Sequence, residues 1–189
     1  HGHMEAVGND LYCKLLNEAV LALKGETEEG AEFETTVDCD IDAYIPASYI
    51  KNEYQKLDIY KRISGIESEE EYMDMQDELI DRFGEIPGPV ENLLWVAALK
   101  ALAHRAGVTD VFINRQEVRL VMFKKAEIDV TGIPELIGKY RGDLKLRPGD
   151  APEFLYQDQS SRNKDCMKMT EKAKELLTEL FSLCERARE

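Results

Sequence analysis

The stretch Val90–His104, VENLLWVAALKALAH, is apolar on almost every side at the helical repeat. A helix with no polar stripe is stable only in the middle of a domain, so its neighbours must supply elements that cover it. Pro89 suits the first turn of that helix and Gly107 is placed to end it. Upstream, the extended segment ending at Pro46 leads into Ala47–Ile63, where Ile50, Tyr54, Leu57 and Tyr60 recur near every 3.6 residues and predict one buried stripe. Ser68 and Glu71 stand at capping-box spacing, so a second helix is expected from there to about Phe83. Gly84 and Pro87 close it.

The flanking segments read differently. Phe33, Thr35, Val37, Cys39 and Ile41 alternate with polar residues, a half-buried strand pattern running to Ala43. Val108–Ile113 and Glu117–Phe123 predict a hairpin around Asn114, Arg115 and Gln116. Ile133–Tyr140 reads as a short helix, and Asp143–Arg147 and Glu153–Gln157 as strands either side of RPGDAP. The last helix, Lys164–Arg188, gathers Met169, Ala173, Leu176, Leu177, Leu180, Phe181 and Cys184 on one face. At the other end, Leu11, Leu15, Ala19 and Ala22 make one face of a helix over Glu5–Lys24, and GETEEGAE after it is linker-like. The expected fold is α+β: mainly helical, with a small mixed or antiparallel sheet and a helical N-terminal extension. The expected divisions are a cloning scar at 1–4 (HGHM), a helical segment and linker at 5–31, and the main domain at 32–189.

Charge narrows the function. The 38 acids against 24 Lys and Arg leave a net charge of −14, the wrong sign for a phosphate backbone or an anionic membrane. No apolar run approaches a membrane span. The four cysteines, Cys13, Cys39, Cys166 and Cys184, form no CxxC pair, so reduced thiols in a cytoplasmic protein are expected rather than a zinc or disulfide framework. Phosphate-loop, nucleophile-elbow, zinc-protease and EF-hand signatures are absent. His104, the one histidine outside the scar, ends the central helix, where a cation gains from the dipole. Cys39 beside Asp40 and Asp42 has no histidine near it in sequence, and Trp95 reads as packing.

The sharpest surface signal is on the second helix. Asp74, Asp77, Glu78 and Asp81 fall at i, i+3, i+4 and i+7, so four carboxylates share one face, while Tyr72, Met75, Leu79 and Phe83 point the other way. Like charges at this spacing cost about 0.2–0.5 kcal/mol per pair in an isolated helix. Periodicity alone leaves two readings open, a solvated acidic face and a docking face for a basic partner.

The strings YIPASYI, KLDIYKRI, ELIDRFG with a following proline, and LLWVAALKALAHRAGV, in this order, resemble the C-terminal domain of the bacterial transcription-repair coupling factors. EAVGNDLYCKLLNEAV resembles the segment after the last helicase motif of that family. The specific motifs cover about Glu5–Gly107, and the part after Asn114 fits by order and length only. The resemblance implies a piece of an ATP-driven DNA translocase that displaces stalled RNA polymerase and recruits the excision-repair protein UvrA. ATP and Mg would belong to the motor upstream, so this piece is expected to be non-catalytic and to carry no cofactor, no metal and no direct nucleic-acid contact. In the family this domain docks on the N-terminal UvrB-like module and masks its UvrA-binding surface. The acids of ELIDRFG make that contact, which carries over to Glu78 and Asp81. Asp74 and Asp77 extend the face, and Arg82 either supports the motif or joins the interface. Two other classes are weighed on the acid excess alone: a carboxylate-dependent hydrolase, and an acidic mimic of nucleic acid.

Overall fold

The computed structural model describes residues 33–159 and 165–189. The expected helix over Glu5–Lys24 and its linker lie outside them. The described residues divide into two compact units, Ile41–Ala101 and Phe33–Asp40 with Leu102–Glu189.

In the first unit, caps set the helix boundaries. Helix α1 is Glu53–Ser64, and the Asn52 side chain accepts from Gln55 N at 3.0 Å. This corrects the expected start at Ala47: after Pro46 the chain makes a turn, with Tyr49 N and Ile50 N both donating to Pro46 O. The expected stripe is corrected with it, because Tyr54 is 85% and Leu57 49% exposed. The buried positions are Lys56, Ile59, Tyr60 and Ile63, spaced i, i+3, i+4 and i+7. Lys56 lies among them by burying its aliphatic stem while its ammonium reaches Glu53 at 3.2 Å. Ile50 is buried from the turn, and Tyr60 Oη accepts from the buried Ile45 N–H at 2.7 Å.

Helix α2 is Glu69–Phe83, capped where Ser68 Oγ accepts from Glu71 N at 3.1 Å. Glu71 reaches back one residue further than a capping box requires, to Glu67 N at 2.8 Å. Met75 and Leu79 are buried and Tyr72 and Phe83 half-buried, as the spacing predicts. Gly84 ends the helix at φ 90°, donating to Ile80 O. Helix α3, Gly88–Arg105, is the apolar helix, and Val90, Leu93 and Leu94 have no exposed surface. Within the first unit its start is held by Tyr44 N donating to Pro89 O and by Asn92 Nδ2 donating to Asp42 O at 2.9 Å.

The second unit contains all five described strands, β1 Thr36–Cys39, β2 Val108–Ile113, β3 Glu117–Met122, β4 Leu144–Arg147 and β5 Glu153–Gln157. They form one mixed sheet in the order β1-β2-β3-β5-β4, in which β1 and β2 are parallel and every other pair antiparallel. The β2–β3 hairpin turns where Asn114 Oδ1 accepts from both Gln116 N and Glu117 N. Val111, Val118, Leu120 and Phe154 are buried on one sheet face. Helix α5, Cys166–Arg188, lies against β2 and β3 through Ala173, Leu176, Leu177 and Leu180. Helix α4, Ile133–Lys139, is tied to α5 by Lys139 and Glu179 at 2.6 Å. His104 packs into this unit through other contacts: its Nδ1 is 3.2 Å from Thr35 Oγ1, and its ring lies on Phe33 at 4.6 Å. Thr35 in turn donates to Val108 O at 2.7 Å.

Candidate functional site

The acidic face of α2 is built by the packing of its opposite side. Met75 and Leu79 are buried, which turns Asp74, Asp77 and Asp81 outward into solvent. Two ties then hold α2 against α1 and the turn before it. The Tyr49 hydroxyl lies 2.9 Å from Gly84 O and 3.2 Å from Leu79 O, at the C-terminal end of α2 and the approach to α1. At the other end of α1, the Arg62 guanidinium grips the Glu78 carboxylate with both nitrogens. Nη2 donates to Oε1 at 2.6 Å and Nη1 to Oε2.

Glu78 therefore differs from its three neighbours. Arg82 adds a third donor, Nη1 to Oε2 at 3.0 Å, one turn further along α2. Arg82 also lies over the Phe83 ring at 4.9 Å. The Arg62 hydrogen bonds, with help from Arg82 and against partial burial, push the Glu78 carboxyl down from its ordinary value to about 2. The same bond raises Arg62. A carboxylate has about four acceptor positions, so three donors leave one, on Oε1. Asp74, Asp77 and Asp81 make no ion pair among the described residues.

The structure thus brings Glu78, Asp81, Asp77 and Asp74 to one face, and places Arg82 within the motif as an internal partner of Glu78. Arg62 was missed by sequence reasoning. It lies 16 positions from Glu78, in KLDIYKRI, and no helical spacing connects the two. Met73 and Ile80, 58% and 52% exposed, flank the acids with apolar surface. Helical patterning assigns such residues inward by default and gave no sign of this.

Among the described residues no group of three or more His, Cys, Asp or Glu side chains could hold a metal ion, and no helix is long and apolar enough to cross a membrane. The Glu78 and Asp129 carboxyls are both pushed down, the latter chiefly by its hydrogen bond with Thr131.

Residues 39–133 match the model of the TRCF domain family. The transcription-repair-coupling factor of Bacillus subtilis is 41% identical over 132 residues, and that of Staphylococcus epidermidis 39% identical over 133. Each alignment takes in 70% of this chain, which spans only 11% of the length of those relatives. Among solved structures, the crystal structure of the C-terminal domain of transcription-repair coupling factor matches with a TM-score of 0.65 and 26% identity. That match covers 84% of this chain and 99% of the other. With ELIDRFG on the outward-facing helix and the family match spanning both α1 and α2, the chain belongs to the TRCF domain family of transcription-repair coupling factors.

Proposed function

We propose that this chain is a non-catalytic regulatory domain that docks on the UvrB-like module of its own parent protein and masks the UvrA-binding surface there. The parent would be a cytoplasmic, ATP-dependent DNA translocase acting on stalled RNA polymerase, with ATP, Mg and DNA handled outside this piece. The observation that carries the reading is the outward face of α2, where Asp81 and Glu78 of ELIDRFG stand in line with Asp74 and Asp77. A row of carboxylates flanked by Met73 and Ile80 suits a basic partner surface with an apolar rim.

Geometry also divides the work within the motif. Glu78 already meets two guanidiniums, so an incoming cation finds its charge largely compensated. Asp81 offers an uncompensated carboxylate, and the attraction should fall mainly on it. Charge contacts of this kind favour orientation and fast association over permanence, which suits a latch that opens when the motor engages. The hydrolase alternative gains no support from any observation above.

The test is a calorimetric titration of this chain against the isolated UvrB-like module at low and high salt. Salt-sensitive binding weakened about tenfold by Asp81→Asn is the expected result, tenfold corresponding to about 1.4 kcal/mol of a charge-pair coupling. Full-strength binding by a folded chain carrying both Glu78→Gln and Asp81→Asn would remove the reading.

A further inference from the structure

We infer that the docking surface extends across α1, where the Tyr54 ring and the Asp58 carboxylate together receive one guanidinium group of the basic partner. This rests on the reading of α2 as a docking face and adds a second helix to it. The seam between the two helices carries the argument. Arg62 of α1 and Glu78 of α2 hold each other there with two hydrogen bonds, yet their side chains remain 41% and 32% exposed. A tie that solvent reaches leaves the outward sides of both helices on one continuous surface, all of it within the first unit.

From that seam the ridge of α1 runs back in steps of four residues. Asp58 stands one step before Arg62, about 40° round the helix, and Tyr54 two steps before it, about 80° round. Both are exposed, and Tyr54 at 85% is the most exposed large hydrophobic side chain among the described residues. Asp58 makes no ion pair among the described residues, whereas Glu78 is already held by Arg62 and Arg82. Leu57 makes the contrast: it lies five residues before Arg62, about 140° round the helix, on the flank turned away from α2. The chemistry of the pair matches the partner that the acids of α2 call for. An aromatic ring presents a negative face to a cation, and a carboxylate at i+4 stands beside that face to accept its N–H groups. A planar guanidinium can lie on the ring and donate to the carboxylate at once, which an ammonium does less well. The ring also brings what exposed carboxylates lack, contact area on a side chain with few rotamers to freeze. Charge on α2 would then govern encounter, and Tyr54 on α1 would govern how long the complex lasts.

The experiment measures association and dissociation rates of this chain on immobilised UvrB-like module by surface plasmon resonance. Tyr54→Ala should raise the dissociation rate about tenfold, with the association rate and its salt dependence nearly unchanged. Tyr54→Phe, which keeps the ring, should dissociate like the wild type, and Asp81→Asn should act mainly on association. Because Tyr54 is exposed, Tyr54→Ala should also keep the wild-type urea midpoint, which separates lost contact from lost folding. Leu57→Ser should leave both rates as they are. A wild-type dissociation rate for Tyr54→Ala beside a weakened Asp81→Asn would place α1 outside the surface and leave the reading of α2 standing. Equal losses from Tyr54→Ala and Leu57→Ser would mean general apolar adhesion and overturn the assignment. A folded wild-type chain that does not bind at all would remove the reading of α2, and this inference with it.

Discussion

Glu78→Gln isolates the charge of the Glu78 carboxylate while keeping its shape. In the wild-type chain Arg62 and Arg82 hold that carboxyl near pH 2 against an ordinary 4.5. Read as linkage, the displacement corresponds to at most about 3 kcal/mol of folding free energy. The side chains of Arg62, Arg82 and Glu78 are 41%, 39% and 32% exposed, so solvent screens much of it. Exposed pairs measure about 0.2–1 kcal/mol each. With one bidentate pair and one single contact, the expected loss is about 1–2 kcal/mol at neutral pH. The sign of the pH dependence follows from a depressed carboxyl. The contribution is complete above about pH 4.5, falls as the unfolded chain takes up its proton, and is gone below about pH 2. Trp95, the single tryptophan, lies in the same unit as Glu78, so urea unfolding followed by its fluorescence reads the relevant part of the molecule. The deficit of Glu78→Gln should shrink to less than half between about pH 7 and about pH 3. A deficit equal at the two pH values, or none at pH 7, would refute the account of Glu78 as internally tethered.

Two further substitutions probe the frame that presents the acidic face. Tyr60→Phe removes the acceptor of the buried Ile45 N–H, and should cost about 1–3 kcal/mol in the same urea measurement with little change in circular dichroism. Gly84→Ala meets no atom within 4 Å, so its cost is that of the backbone alone. At φ 90° and ψ −163°, where glycine is nearly obligatory, about 1–3 kcal/mol is expected, seen as a lowered melting temperature.

What could be read from the chain and what could not divides along physical lines. The limits of α2 were legible because Ser68 and Gly84 act on the backbone within a few residues of themselves. The same holds for the Asn114 turn and for the α+β class, since alternation and helical repeat are local signals. Asn52 was the signal missed at α1. As a cap it starts the helix at Glu53, and this rotates Tyr54 and Leu57 outward, with Lys56 folded inward. The family strings single out Glu78 and Asp81 as candidates, but not the difference between them, which depends on where α1 brings Arg62. The parallel pairing of β1 with β2 was equally out of reach, because register between distant strands leaves no trace in either one.

That parallel pair sets an order of events during synthesis. Of the described strands β1 leaves the ribosome first, yet its partner in the sheet begins only at Val108. Closing so long a gap, about 70 residues, carries a length-dependent entropic cost of about 4 kcal/mol for a flexible chain. The three helices of the first unit emerge within that gap, each with local contacts to make before β2 exists. Until then Thr36–Cys39 has no sheet to join. The first of the described strands to appear therefore waits for its partner until the whole acidic-faced helical unit has emerged.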